Sequence, residues 1–362
     1  MQGKLTCRNF FNIYINMNPV IGVLLHSIGG IFHGSFYYPL TRVKNWKWES
    51  YWLLQGFFAW IFSPFLVAMF FVPNLSNLFY ESSCDQLFYP ALFGLLWGMG
   101  SLTFGLTMRY LGMSLGMSIA LGFCTSFGTI IPPIYTGNIT VLFTTLSGWV
   151  ILSGVMLCIA GIAVVGYAGS IKEKDLGAKE KRKIIKEFAL TKGILIAIFS
   201  GILSACFAYG LQAGAPVADI AVSHGTKIIF KNSPVFILIM GGGFVANFIF
   251  CFILSIKNKS YTDFFQAFTK SQTFNYLYSI CAGIMWYTGF FFYGMGTTFM
   301  GKYDFTSWSI HMAAVIFFSN VCGILAKEWF GVKMRTLRLV YFGMFVLIIS
   351  TVIIGYGNSL VH

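Results

Sequence analysis

Charged residues are scarce in this chain, and carboxylates are the scarcest of them. Asp and Glu together supply 11 of the 362 residues, and all charged residues make up 10%, whereas soluble domains average about 25%. The eight cysteines show no CxxC or other metal-binding spacing, and the sequence has no Walker loop, HExxH or GxSxG motif. These absences exclude an ordinary soluble fold and give no support for a metal site, an ATPase or another enzyme.

Apolar residues fill the chain instead. Hydrophobic residues make up 57% and aromatic residues 19% of it, in long runs separated by short polar breaks. Runs of about 20 apolar residues are typical of helices that cross a lipid bilayer. The sequence therefore predicts an all-α integral membrane protein with ten transmembrane helices. The predicted spans are residues 19–39, 51–72, 87–108, 112–134, 147–169, 191–214, 234–256, 273–295, 305–326 and 338–357.

The formal charge of +13 raises the question of a nucleic-acid partner. However, 19 of the 24 Lys and Arg residues fall in alternate connections between the predicted spans. The other connections hold only Lys227, Lys231 and Lys302. By the positive-inside rule the basic connections lie in the cytoplasm, so both termini are expected on the extracytoplasmic side of a bacterial inner membrane. The charge therefore reflects membrane topology, and no nucleic-acid partner is expected.

The sequence contains an internal repeat. Residues 22–40 match residues 193–211 with an offset of 171, and the third and eighth spans match with an offset of 189, which pairs Trp97 with Trp286. Because each half then holds five spans, the second half must enter the membrane inverted, as in many alternating-access transporters. We predict repeats at 17–170 and 191–358, a charged cytoplasmic linker at 171–190, and an N-terminal extension at 1–16 before a candidate start.

Titratable residues in the spans are few, and they mark candidate proton-coupling positions. In the ninth span Asp304, Ser307, Trp308 and His311 share one helical face. Asp304 suits an N-cap and a cavity-facing carboxylate equally well. In the first span His26 shares a face with Gly30, His33 and Tyr37. Asp304, His311 and His26 are the predicted proton-coupling residues.

Substrate-binding candidates come from the polar and aromatic residues of the spans. Trp97 and Trp286 occupy equivalent repeat positions, and such rings either pack the core or stack on the apolar face of a sugar. Asn247 fits a helix contact or a ligand contact with similar weight. The candidates are Trp97, Ser101, Trp286, Tyr287, Tyr293, Ser307, Trp308, Tyr37 and Asn247.

Several motifs resemble those of one transporter family. GLTMRYLGMS at 105–114, MWY and FFFY within 285–293, YDFTSWSIHM at 303–312, KEW at 327–329, VKNWKWE at 43–49 and IMGGG at 239–243 are similar to the bacterial L-rhamnose/proton symporters. These belong to the drug/metabolite transporter superfamily. The resemblance implies two inverted five-helix repeats, no organic cofactor, the proton gradient as energy source, and uptake of a deoxy-hexose.

The chain also departs from the family pattern. Ser101, Phe104, Gly289 and Met295 stand where the pattern has Asn, Tyr, Gln and Trp, and His33 lies outside it. Lost hydrogen-bonding groups can change sugar preference by orders of magnitude. We therefore expect a proton-coupled symporter for L-rhamnose or a related deoxy-sugar. The alternatives are an exporter or exchanger of another metabolite, and a membrane enzyme or sensor, for which no paired acids or soluble domain are visible. The sequence does not indicate an oligomeric state.

Overall fold

The computed structural model describes residues 19–135, 139–175, 187–266, 269–300 and 307–360, and within these ranges it is helical, with no β-strand. The α-helices, in chain order, are α1 (Pro19–Ser35), α2 (Tyr37–Leu40), α3 (Trp48–Phe57), α4 (Ser63–Phe71), α5 (Leu75–Glu81), α6 (Cys84–Leu111), α7 (Met113–Tyr135), α8 (Ile139–Thr144), α9 (Leu146–Asp175), α10 (Leu190–Ser204), α11 (Cys206–Ala213), α12 (Ala215–Ser223), α13 (Ser233–Asn258), α14 (Lys270–Met300), α15 (Ser307–Leu325) and α16 (Met334–Ser359).

Seven helical segments in the described ranges are long and apolar enough to cross a membrane. They are Val20–Leu40, Trp48–Phe71, Cys84–Leu111, Leu146–Lys172, Leu190–Ser223, Ile228–Asn258 and Met334–Gly357. Two shorter apolar helices cover Met113–Phe127 and Ile310–Leu325. The 31-residue helix α14 lies outside this group, and it carries many of the polar aromatic side chains discussed below. The prediction of a multi-pass helical membrane protein is confirmed in this form.

The second predicted span contains a π-helical turn at Phe58–Phe62, between α3 and α4. Pro64 supplies no backbone N–H to the helix, and the Ser63 hydroxyl donates to the carbonyl of Phe58 over 2.6 Å. The backbone N–H of Ser63 also donates to the carbonyl of Phe58, five residues earlier, which is the hydrogen bond of a π-helical turn. Ala59 and Trp60 lie within this turn, and both are buried in the protein interior.

Helix packing follows a simple scheme. Helix α1 packs against α14 and α15, and α10 packs against α6 and α7. Helix α6 also packs against α13, and α14 packs against α3 and the π-helical turn. Helices α9 and α16 form a pair with each other. The buried core lies between these helices, and α7 contributes many of its most fully buried side chains, such as Met113, Leu115 and Met117.

Glycine allows the closest of these contacts. A Cβ atom added to Gly98 in α6 would lie 2.4 Å from the backbone oxygen of Gly243 in α13. A Cβ added to Gly30 in α1 would lie 2.4 Å from the Cβ of Ala314 in α15. Because any larger residue would push these helices apart, the short-range packing around the centre depends on these small residues.

Candidate substrate and proton site

A small cavity lies at the centre of the bundle, and we call it the narrow cavity. Its volume is about 50 Å³. The residues that line it come from α1, α6, α7, α14 and α15 and from the end of α10, and they are His33, Trp97, Ser101, Phe104, Leu121, Cys124, Ser204, Trp286, Phe290, Trp308, Met312 and Val315. Four of the predicted substrate-binding residues, Trp97, Ser101, Trp286 and Trp308, are thus brought together.

Aromatic rings form most of the wall of the narrow cavity. Phe290 contacts both repeat-related tryptophans, with ring centroids 5.6 Å from Trp97 and 5.9 Å from Trp286. Phe207 packs 4.4 Å from Phe290 and 5.2 Å from Trp97. Flat apolar ring faces of this kind suit the apolar face of a sugar ring.

Several polar atoms at this wall have no hydrogen-bond partner in the described part of the chain. They include the hydroxyl of Ser101, the indole Nε1 of Trp286 and the Nε2 atom of His33. A buried polar group without a partner costs about 1–3 kcal/mol, so native proteins seldom keep one without a reason. Three such atoms around one cavity are what a site for a hydroxyl-rich ligand requires.

Three histidines from α1 and α15 lie beside the narrow cavity. His33 Nδ1 and His311 Nε2 are 2.8 Å apart, within hydrogen-bond distance. The other ring nitrogen of His311, Nδ1, lies 3.2 Å from the backbone oxygen of His26. The His26 ring centroid is 6.1 Å from that of His311. The structure therefore brings the two predicted proton-coupling histidines together and adds His33.

A second, larger cavity of about 320 Å³ lies beyond Trp308 and Tyr293, and we call it the wide cavity. These two predicted residues contact each other edge to face, with centroids 5.6 Å apart. Trp308 lines both cavities and so lies between them. The remaining lining residues of the wide cavity are Ala208, Leu211, Gln212, Ala215, Ala218, Asp219, Lys231, Asn232, Thr297 and Thr298.

Three predicted site residues lie elsewhere. Asn247 is buried and accepts a hydrogen bond from the indole of Trp52 over 2.9 Å, which is the helix contact that the sequence left as one of two readings. Tyr37 packs against the Trp52 ring, with centroids 6.4 Å apart. Tyr287 is buried against Phe236. None of the three is among the residues that line the two cavities.

Two predicted residues remain at the start of α15. Ser307 is its first residue and is buried, 1% exposed, but it is not among the lining residues of either cavity. Asp304, the third candidate for proton coupling, lies outside the described residues.

Sequence reasoning missed two polar residues of the narrow cavity, His33 and Ser204. His33 carried a visible signal, since it shares a helical face with His26. Ser204 is the repeat counterpart of His33 at the same offset of 171 residues. Each packs against a glycine of the opposite half, because a Cβ added to Gly289 or Gly100 would collide with residue 33 or with the backbone at residue 204.

One end of the bundle carries most of the described basic residues, and we call it the basic end. Polar contacts join neighbouring segments of the chain at this end. Asp263, in the 3-10 turn Ser260–Phe265, accepts hydrogen bonds from the Lys47 amide and the Ser50 hydroxyl, both over 2.8 Å. Glu49 accepts from Asn258 and from Ser260 over 2.8 Å each. These bonds join the start of α3 to the segment between α13 and α14.

A third carboxylate at the basic end caps a helix. Glu328, after α15, accepts hydrogen bonds from the backbone amides of Met113 and Ser114 over 2.8 and 3.0 Å. These are the first amides of α7, which are unpaired within their own helix. Burial raises the pKa of the Glu328 carboxyl, while the two amides and the nearby Lys172 act in the opposite direction. Beside it, Ser114 and Asn320 are hydrogen-bonded, which ties α7 to α15.

These features together define a class of protein: a multi-pass helical membrane protein with ring faces, unpaired polar atoms and imidazoles around a central cavity, as small-molecule transporters have. The family model described as L-rhamnose-proton symport protein matches residues 15–360. The chain belongs to this family. Because the family consists of transporters, the prediction that the chain is not an enzyme is confirmed.

Named relatives agree with this assignment. The L-rhamnose-proton symporter of Pectobacterium atrosepticum is 36% identical over 347 residues, which cover 94% of this chain and 99% of that protein. That of Escherichia coli strain 55989 is 35% identical over 342 residues, covering 94% and 98%. That of Klebsiella pneumoniae is 36% identical over 348 residues, covering 95% and 100%. No solved structure gives a significant match.

Proposed function

We propose that this protein imports L-rhamnose, or a closely related deoxy-sugar, together with protons across the cytoplasmic membrane. The observation that carries the proposal is the narrow cavity, where aromatic faces, unpaired polar atoms and buried imidazoles meet in a chain of this family. Aromatic faces and unpaired donors suit a sugar, and imidazoles suit a proton. An exporter or exchanger of another metabolite would share the fold, but the family membership does not favour it.

The proposed architecture has ten spans in two inverted five-helix repeats joined by the linker at 171–190. Helix packing supports it. Exchanging each span with its counterpart five spans later turns the contacts of α1 with α14 and α15 into those of α10 with α6 and α7. Both patterns are present. The pair α9 and α16 maps onto itself, as an inverted repeat requires.

The narrow cavity lies on the proposed pseudo-twofold axis. Its lining includes residues related by the repeat offsets: His33 with Ser204, Trp97 with Trp286, and Ser101 with Phe290. A site shared by both repeats near the membrane midplane is where an alternating-access carrier binds its substrate. The two side chains of a pair can differ, as those of His33 and Ser204 do. One side of the site is therefore more polar than the other.

The basic end is assigned to the cytoplasm by the positive-inside rule, which places both termini outside. The wide cavity then lies towards the extracytoplasmic side, and the contacts of Asp263, Glu49 and Glu328 close the cytoplasmic side. With this orientation, we assign the arrangement to an outward-facing state. Sugar enters through the wide cavity, passes Trp308, and reaches the tryptophan pair.

The narrow cavity must widen when sugar binds. A volume of about 50 Å³ holds a few water molecules at ~10–15 Å³ each. A sugar ring needs more space, so Trp308 and the neighbouring α15 must move. We assign stacking on the sugar to Trp97 and Trp286 and hydroxyl contacts to Ser101. The candidates for carrying the coupling proton are His311, His26 and Asp304, with the proton gradient in place of a cofactor.

The proton gradient is sufficient for accumulation. One charge moving through ~100 mV gains about 2.3 kcal/mol, which corresponds to roughly a fifty-fold concentration of sugar per proton.

Counterflow in proteoliposomes tests the substrate. Vesicles loaded with unlabelled L-rhamnose are expected to take up labelled L-rhamnose transiently, and a panel of unlabelled sugars ranks preference by competition. L-Rhamnose or another 6-deoxy-sugar should compete best. Counterflow of other metabolites without any response to 6-deoxy-sugars would contradict the proposal and favour the exporter or exchanger.

A further inference from the structure

His33 and His311 are in direct contact although they lie 278 residues apart. His33 comes from α1 and is 5% exposed, and His311 comes from α15 and is fully buried. Their rings are nearly perpendicular, with an interplanar angle of 75° and centroids 5.0 Å apart. The ring of His33 lies against Gly289, where an added Cβ would be 2.3 Å from its Cδ2 atom. The pair is therefore held in place from both sides.

The neighbours of the pair fix where its protons lie. The backbone oxygen of His26 only accepts, so His311 Nδ1, 3.2 Å away, must carry a proton. In neutral His311 the Nε2 atom then has a lone pair, and His33 Nδ1 must donate the proton of the 2.8 Å contact. Neutral His33 is thus left with a lone pair on Nε2.

That last nitrogen has room for one more proton. His33 Nε2 is buried and has no hydrogen-bond partner in the described ranges. The other ring nitrogens of the pair are already engaged in the contacts between His33, His311 and the backbone of His26. Nε2 is therefore the position at which the pair can accept one proton.

Other groups around the pair also suit a single positive charge. The ring of Trp286 lies 5.1 Å and that of Phe290 4.4 Å from His33, and Tyr293 lies 5.2 Å from His311. Ring faces at these distances attract a cation. Among the described residues, the titratable groups whose rings face the pair are His26 on α1 and Tyr293 on α14. The described residues that line the narrow cavity include no Asp, Glu, Lys or Arg.

We propose that His33 and His311 bind one proton as a unit, and that this proton is the one coupled to sugar transport. The inference deepens the proposed function and rests on it. A hydronium ion in the wide cavity supplies the proton: the N–H bond forms at the lone pair of His33 Nε2, the O–H bond of the donor breaks and leaves water, and no bond within the protein breaks. The charged pair presents an N–H group at the wall of the narrow cavity, where a sugar oxygen can accept it. When the proton leaves, the sugar loses this donor, so release of the two is linked.

The transport test uses His33→Ser. This variant places in α1 the side chain that Ser204 has at the equivalent position of the second repeat. The control is His224→Gln, because the His224 side chain contacts Glu81 at the surface, 3.0 Å away, and is not among the lining residues of either cavity. In proteoliposomes without a pH gradient, His33→Ser is expected to keep L-rhamnose counterflow at saturating sugar but with a KM raised several-fold, because the sugar loses the N–H donor of His33. Accumulation driven by a pH gradient should fall to about the external concentration, and sugar-induced proton uptake should disappear. His224→Gln should behave as the parent in all three assays.

If His33→Ser does not fold, a second measurement, made on the unmodified protein, still tests the proposal. Nitrogen-15 NMR of the unmodified protein with labelled histidine in lipid should show the signals of His33 and His311 changing together in one step. Wild-type accumulation by His33→Ser, or separate titration of the two histidines, would overturn the proposal. Absence of L-rhamnose counterflow by the unmodified protein would instead refute the proposed substrate, and the NMR result would still decide the proton-binding unit.

Discussion

Trp97 and Trp286 lie 189 residues apart in the sequence and line one cavity, each in contact with Phe290. Each tryptophan lies near the middle of its helix, α6 or α14. The relationship shows how a repeated sequence builds a single site: each half contributes one indole, and both rings meet at the centre of the bundle.

Replacing either tryptophan tests the stacking role. Trp286→Ala is expected to raise the KM for sugar about tenfold, because an aromatic contact contributes about 0.5–1.5 kcal/mol beyond its buried area. Trp286→Phe keeps an aromatic ring and removes the five-membered part of the indole with its N–H, so its loss should be smaller. Initial uptake rates at varied sugar concentration give both values.

The matched control for this experiment is Trp149→Ala, since Trp149 is 59% exposed on α9. Its KM should stay within twofold of the parent value. An equal effect of the central and the exposed tryptophan would indicate general damage to the helix bundle and would contradict a stacking site.

Gly289→Ala should disturb the histidine pair without removing any functional group. Its Cβ would lie 2.3 Å from the His33 ring, which is already held by His311. We expect a loss of gradient-driven uptake of at least tenfold and a destabilisation of about 1–3 kcal/mol, as for other overpacked interiors. Uptake and thermal unfolding in detergent measure the two effects.

Gly241→Ala provides the comparison. Gly241 is also a helical glycine, but an added Cβ there meets nothing within 4 Å. This variant should transport normally and be as stable as the parent or slightly more so. If both variants lost uptake to the same degree, glycine flexibility rather than the space occupied by His33 would be the cause.

Asp263→Asn should weaken the closure of the basic end. Both contacts, with the Lys47 amide and the Ser50 hydroxyl, are accepted by one carboxylate oxygen, Oδ2. A neutral amide oxygen in its place accepts both bonds more weakly, which costs about 1–3 kcal/mol and corresponds to a shift of about tenfold in the balance of the two states. The native Cys124 at the narrow cavity reports the shift, because it becomes reachable from the cytoplasm.

Alkylation of Cys124 by a membrane-impermeant maleimide in inside-out vesicles, followed by mass spectrometry, should therefore rise several-fold. Asp85→Asn is the control, since Asp85 lies in the exposed first turn of α6 at the other end. Unchanged labelling in Asp263→Asn would mean that this carboxylate does not hold the cytoplasmic side closed.

Glu328 gives a prediction for pH. Burial raises the pKa of its carboxyl above the ordinary value of 4.5. The folded protein then binds this proton more tightly than the unfolded chain, so the contribution of Glu328 to stability falls as pH rises from about 4.5 through the folded pKa. Compared with Glu328→Gln, the parent protein should lose thermal stability over this interval. A difference that grows in the opposite direction would contradict the sign.

The sequence predicted much of the helical framework, because hydropathy and charge placement depend on the bilayer and not on details of packing. The repeat offsets also identified Trp97 and Trp286 as equivalent positions without any knowledge of their contacts. Both patterns are visible in the linear sequence, so recognising them requires no knowledge of the tertiary structure.

Contacts between distant helices could not be predicted in this way. The bond between His33 and His311 depends on the rotation of α1 against α15, which is set by glycine contacts such as that of Gly30 with Ala314. For Asn247 the sequence left two readings with equal weight, and the hydrogen bond from Trp52 favours the helix contact. The type of a residue does not by itself indicate which side chain it contacts.

The most direct test of the account is the external pH when sugar is added. De-energised cells or vesicles carrying the protein in a weakly buffered medium should show alkalinisation on addition of L-rhamnose, in proportion to the sugar taken up. The account predicts this rise for the parent protein and its absence for His33→Ser. Uptake of L-rhamnose with no change in external pH, or with acidification, would contradict symport with protons.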